Sequence, residues 1–180
     1  MSSDSPKNPF TLRLGQSTGL EVRSSNNYFL FKGTVLVADL GENLWSFESD
    51  LSQVRLYGSG TFIIESTTVG FKVIILEGTF RFETDNSEEY VIQSGDLVLV
   101  TDKEGQISQS LQIELPLLLN SSRLVNIFSQ KLATHSRLIS AAQVQVMRMK
   151  NKYDAFIGGV SDKRKLRIWK VNPAKANEDD

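Results

Sequence analysis

The sequence predicts a mainly β protein: an antiparallel two-sheet sandwich or jelly-roll-like stack with a short C-terminal helical segment. Three observations lead there. From Phe10 to about Glu114, short apolar or alternating runs recur between Gly, Asn, Asp and Ser turn signals. Near residue 115 that period-2 pattern gives way to helical spacing. Hydrophobic residues make up 40% and charged residues 23% of 180 residues, enough for one domain with a substantial core.

Taken in order, residues 1–9 are polar and carry two prolines, so a disordered N-terminus is expected there. The β domain follows over residues 10–114. Its candidate strands are Thr11–Leu14, Tyr28–Phe31, Gly33–Asp39, Leu44–Phe47, Gln53–Tyr57, Thr61–Glu65, Gly70–Leu76, Thr79–Glu83, Glu89–Gln93 and Asp96–Thr101. Alternation is clearest at Thr79–Glu83, with Phe80 and Phe82 on one face and Arg81 and Glu83 on the other. Val73–Leu76 and Leu97–Val100 are apolar throughout, as strands covered on both faces are. A Gly-Thr pair occurs at Gly33-Thr34, Gly60-Thr61 and Gly78-Thr79. Each is expected to be a glycine turning the chain into a new strand that a β-branched Thr begins.

The helical segment spans residues 115–150. Pro116 marks the break, and Ser121 or Ser122 is expected to cap a first helix carrying Leu124, Ile127, Phe128 and Leu132. A second helix presents Ile139, Ala142, Val146 and Met149 as an apolar stripe, a candidate interaction surface for the β domain or another copy of the chain. Residues 151–180 form a basic C-terminal extension. Gly158-Gly159 is expected to break it, Asp162–Lys165 to turn it, and Leu166–Val171 to alternate as an amphipathic strand.

Familiar chemistry is sparse. The absence of cysteine excludes disulfides, thiolate metal sites and cysteine nucleophiles. His135 is the only histidine, expected near the C-terminal end of the first helix; alone it makes no typical metal site, and no cofactor is expected. The carboxylates fall at turns: Asp85, Glu88 and Glu89 around a hairpin tip, Glu77 before Gly78, and Asp96 where it can accept turn amide hydrogens. Gly58-Ser59-Gly60 lacks the lysine and helix of a phosphate loop, and Thr101–Gly105 lacks calcium-loop spacing. A formal charge of -1 gives no overall field for nucleic acid, and none is expected as a partner. Lysines and arginines from Lys150 to Lys175 are read as a solvated edge. No run approaches the length that spans a bilayer, so no transmembrane segment is expected. Met1–Pro9 lacks the apolar stretch of a secretory leader, so an exported form is expected to have lost one.

One order of motifs is familiar. Gly33–Val37, then Gln53–Phe62, then Val73–Thr79 through Ser94–Val100, resembles a FecR domain, closest to the FecR-like proteins of Verrucomicrobia and related bacteria. The likeness covers roughly residues 25–150, and its motif positions are Gly60, Thr61, Glu77, Gly78, Thr79 and Gly95. It implies a compact antiparallel β structure exposed to the periplasm or cell envelope, and it brings no catalytic residue. Glu77–Val100 is also similar to the second half of a cupin, but the β region has no metal-binding histidine.

The expectation is therefore a non-enzymatic, extracytoplasmic binding or scaffold module, acting on a protein partner or on itself. The alternatives are a metal-free cupin-like barrel for a sugar or other small ligand, and a regulatory domain in sigma-factor or transport signalling.

Overall fold

The computed structural model describes residues 10–83, 90–101, 106–150, 155–162 and 165–171, with side chains described through Arg148. The fold is mainly β, as expected. The first strands are β1 (Phe10–Leu14), β2 (Gly19–Ser24) and the very long β3 (Asn27–Glu48). Next come β4 (Gln53–Thr67), β5 (Gly70–Phe82), β6 (Tyr90–Gln93) and β7 (Asp96–Thr101). Two short strands, β8 (Gln106–Ile107) and β9 (Leu111–Gln112), end the series before the helices. All nine join one antiparallel sheet of order β1-β3-β4-β5-β7-β8, with β2 also on β3, β6 on β5 and β9 on β7. The sheet is open, not the closed barrel of the cupin alternative.

Seven expected strands are fused into three, three of them in β3 and two each in β4 and β5, and at three of the four joins glycine is the reason. Gly33, Gly60 and Gly78 do not begin strands; they lie inside β3, β4 and β5 at φ of 92°, 138° and 96°. A residue without Cβ can bend at positive φ while its neighbours stay paired, so the chain turns without ending its ladder. Gly60 pairs with Gly78 across β4 and β5, and Asp39 pairs with Gly60 across β3 and β4. Register shifts fall on the same line, between Asp39 and Asn43 and between Thr61 and Phe62. A crease therefore runs across three strands. On one side of it β5 pairs with β7 from Gly70 to Ile74; on the other it pairs with β6 from Thr79 to Phe82.

The crease folds the sheet over one apolar core. Tyr28, Val35, Trp45, Phe47, Phe62, Phe71, Phe80, Ile92 and Val98, from both sides of the line, belong to a single buried cluster. Phe62 meets Trp45, Phe47 and Phe80 in edge-to-face contacts with centroids 5.2–6.3 Å apart. The opposite face carries a second cluster of Leu36, Ala38, Ile63, Ile74 and Leu76, closed by Leu115, Leu119, Leu132, Leu138 and Ala142. Apolar runs thus do serve two faces: Val73 and Ile75 point to the first core, Ile74 and Leu76 to the second.

The helices differ from expectation. Pro116 does not break the chain ahead of a helix; it occupies the first turn of α1 (Leu115–Ser121), where a missing N–H costs nothing. Ser122 closes α1 and stands, as expected, at the N-cap of the next helix, though without a side-chain bond; the expected first helix shrinks to that single turn, α2 (Arg123–Asn126). The buried Arg13 guanidinium explains why helix stops there. It donates to the carbonyls of Leu124 (2.8 Å), Val125 (3.0 Å) and Gln130, and lies 4.5 Å above the Phe128 ring. Carbonyls turned toward Arg13 are lost to an i→i−4 ladder, and charge-assisted bonds outweigh intrinsic helix preference. His135 accordingly opens α3 (His135–Lys150) instead of ending a first helix.

Two compact units divide the chain, residues 1–143 and 144–180. The second contains the last residues of α3 and a hairpin of β10 (Ala155–Asp162) with β11 (Lys165–Val171). A strand is present where one was expected at Leu166–Val171, but Gly158-Gly159 sits inside β10, paired with Ile168 and Arg167, and does not break it.

Candidate functional site

Cross-strand pairing places the motif residues together on the helix-facing side of the crease. Successive rungs of the β4–β5 ladder with that orientation are Tyr57–Arg81, Ser59–Thr79 and Thr61–Glu77, with Gly60–Gly78 between the last two. Gly95 joins them through its amide, which donates to the Ile75 carbonyl at 2.8 Å. Asp96 beside it accepts from the Gln93 amide at 2.8 Å and from the Gln112 side chain, the turn-stabilising role its position suggested.

The start of α3 seals the inner end of this polar seam. Thr61 and Thr134, both fully buried, share a hydroxyl–hydroxyl hydrogen bond of 2.6 Å. Glu77 is only 5% exposed; its Oε1 lies 2.6 Å from Arg137 Nε, while its buried Oε2 has no hydrogen-bond partner. Burial holds the Glu77 carboxyl above its ordinary pKa, and the charge and hydrogen bond of Arg137 pull against that shift without cancelling it.

Outward from this pair the seam opens into a groove of about 410 Å³, lined by Glu42, Tyr57, Gly58, Ser59, Gly78, Thr79, Arg81, Val91 and Arg137. Asp39, buried at the crease, accepts from the Gly41 amide (2.9 Å) and the Asn43 side chain (2.6 Å) and shapes the bulge that carries Glu42. Tyr57 donates its hydroxyl to Glu42 at 3.2 Å, and Arg81 lies 5.1 Å from the Tyr57 ring centre. Arg81, Arg137, Tyr57 and Glu42 were not singled out in the sequence. The alternation Tyr57-x-Ser59-x-Thr61 facing Glu77-x-Thr79-x-Arg81 could have pointed to Tyr57 and Arg81, whereas Glu42 and Arg137 carry no such signal.

The apolar stripe expected on α3 is distributed differently. Ala142 is buried, Val146 is half-buried and Ile139 is exposed, whereas Leu138 supplies the main buried contact; the Met149 side chain lies outside the described residues. So do Asp85 to Glu89, Asp102 to Gly105 and the basic side chains beyond Arg148. The described residues contain no cluster of three or more metal-ligating side chains, and no helix among them is long and apolar enough to cross a membrane.

A different surface lies at the β2 edge. Among the described residues β2 pairs on one side only, with β3. Val22 on β2 is 68% exposed and Phe31 on β3 57% exposed, and Phe31 packs edge-on against Phe29 at 4.7 Å. The two charges of β2 are drawn aside: Arg23 contacts Glu21 (3.6 Å), pairs with Glu48 and covers the Phe29 ring at 4.5 Å.

No protein-family model matches the sequence, and no curated protein matches it. Among solved structures, the chain matches two crystal structures of proteins provisionally assigned as anti-sigma factors from Parabacteroides distasonis. One is 11% identical at a TM-score of 0.36, covering 81% of this chain, which spans 65% of its length. The other is 9% identical at the same TM-score, covering 92% of this chain and 88% of its own. Likeness at that level speaks to neither fold, partners nor chemistry.

Proposed function

We propose that this chain is a non-enzymatic protein-binding module of the FecR-like kind, working outside the cytoplasm, that receives an extended segment of a partner protein along β2. The observation that carries the proposal is the β2 edge: among the described residues it is unpaired on its outer side, and it carries exposed Val22 beside exposed Phe31 of β3. Outward amides and carbonyls of an edge strand give an incoming strand its main-chain bonds, and apolar neighbours give it side-chain contacts. Charged residues commonly guard such edges, but Glu21 and Arg23 are engaged with each other, Glu48 and Phe29.

The test selects binders from an unbiased library of displayed extended peptides and maps them by amide chemical shifts on the full chain. Selected peptides should perturb Gly19–Ser24 and Phe31, and Val22→Pro, which deletes one amide, should weaken them about tenfold or more. Peptides that map elsewhere, or that bind the Val22→Pro protein equally well, sink the proposal. Light scattering at increasing concentration identifies the other occupant: a dimer abolished by Val22→Pro would make the partner a second copy.

A further inference from the structure

We propose that the groove at the crease binds a small carboxylate carrying a hydroxyl or ammonium donor beside it, Arg81 and Arg137 taking the carboxylate and Glu42 the donor. This goes beyond the strand-addition reading, and the groove shares no residue with the β2 edge.

The groove's composition narrows the ligand. Its lining includes Gly58 and Gly78, where no side chain fits: a Cβ on Gly78 would lie 2.2 Å from the Ser59 carbonyl oxygen, and one on Gly58 2.4 Å from that of Thr79, because the two strands approach closely there. At about 410 Å³ the space falls in the lower part of the roughly 300–1,000 Å³ typical of small-ligand sites. Two guanidiniums line it, one from β5 and one from α3, and a guanidinium's planar fork matches a carboxylate. Glu77 contacts Arg137 through Nε, so the guanidinium has further donors to offer while its charge stays anchored to the fold. Ser59 and Thr79, directly paired across the ladder, add two hydroxyls that can donate or accept.

Glu42 sets the selectivity. A carboxylate in an anion site repels a bare anion, and it rewards a ligand that brings a donor to it. Tyr57 holds Glu42 by one oxygen, Oε2, which leaves the other as an acceptor. Hydroxy acids, uronic sugars and amino acids combine the two features; inorganic phosphate and simple fatty acids do not.

The experiment titrates the full chain with glucuronate, glutamate, propionate and inorganic phosphate, following amide and arginine side-chain resonances. Glucuronate or glutamate should give saturable shifts at Tyr57–Thr61, Gly78–Arg81 and Arg137, with affinity about tenfold above that of propionate and phosphate. Arg81→Gln should weaken that ligand about tenfold, the scale of one charge-assisted hydrogen bond. Glu42→Gln should erase the preference over propionate and tighten phosphate. Both are surface substitutions, and an otherwise unchanged amide spectrum verifies the fold. Arg137 is left intact because Glu77 depends on it. The proposal is overturned if no probe saturates, if shifts map outside the groove, if Arg81→Gln leaves affinity unchanged, or if Glu42→Gln leaves the preference in place.

Discussion

Removing Arg137 should expose how much the crease relies on a half-exposed partner for a buried charge. Glu77 is 5% exposed and its Oε2 has no hydrogen-bond partner, so its ionised form is held by Arg137 alone. Breaking a fully buried pair costs about 3–5 kcal/mol. The Arg137 side chain is 43% exposed, so solvent screening reduces that figure, and Arg137→Ala is expected to cost about 2 kcal/mol at neutral pH. For a domain of this size that is a fall of roughly 4–8 °C in Tm. The pH dependence carries the sharper test. A carboxyl whose folded pKa is raised binds its proton more tightly folded than unfolded, so its stabilising contribution is fully present below the unfolded value. That contribution is lost as pH climbs from the ordinary carboxylate range through the folded pKa. Without Arg137 the folded pKa rises further, and the loss continues to higher pH. Urea denaturation of wild type, Arg137→Ala, Glu77→Gln and the double variant, each across pH 4–8, gives the four curves. The double variant should recover most of the stability that Arg137→Ala loses at neutral pH, and the single-variant deficit should shrink on acidification. A deficit independent of pH, or one that Glu77→Gln fails to relieve, would refute the account of Glu77 as a buried, Arg-dependent carboxylate.

Two further substitutions probe what shapes the site. Gly60→Ala places a Cβ 2.1 Å from the Glu77 carbonyl oxygen at a φ of 138°, so a loss of about 3 kcal/mol or more is expected in thermal unfolding. A near-neutral Gly60→Ala would mean the crease is not held by that glycine. Arg13→Met keeps an apolar stem but strips three carbonyls of their donor, at an expected cost of about 2–3 kcal/mol. Limited proteolysis should then cut first between Arg123 and Gln130, and unchanged protection there would count against Arg13 as the anchor.

The β content was legible because period-2 alternation survives at Thr79–Glu83 and because doubly apolar runs mark strands with two covered faces. What the local pattern could not show was continuity. A glycine reads as a boundary, yet Gly33, Gly60 and Gly78 each bend a strand that continues beyond them. Helix boundaries failed for a related reason. The spacing of Leu124, Ile127, Phe128 and Leu132 is helical, but Arg13, more than a hundred residues earlier, claims the carbonyls a helix would need. Neither signal lies within a window of neighbouring residues, since both depend on partners that the topology brings close. β2 shows the opposite limit: Gly-Leu-Glu-Val-Arg-Ser is too mixed to read as a strand alone, and its pairing with Asn27–Lys32 makes it one.

The motif residues were legible as a set before their role was, and the crease explains why. Gly60 and Gly78 face each other because two strands must bend at one place, and a facing pair without side chains lets their backbones do so. The groove beside that close approach is lined by Ser59, Thr79, Arg81 and Arg137. Glu77 and Thr61, one rung inward, meet the start of α3 and fix where Arg137 stands. Folding constraint and groove geometry thus fall on the same rungs. A substitution at Gly58 or Gly78 drives a side chain into the facing backbone and acts on the fold, whereas one at the exposed Glu42 acts at the groove, and on that separation a binding role can be told from a structural one.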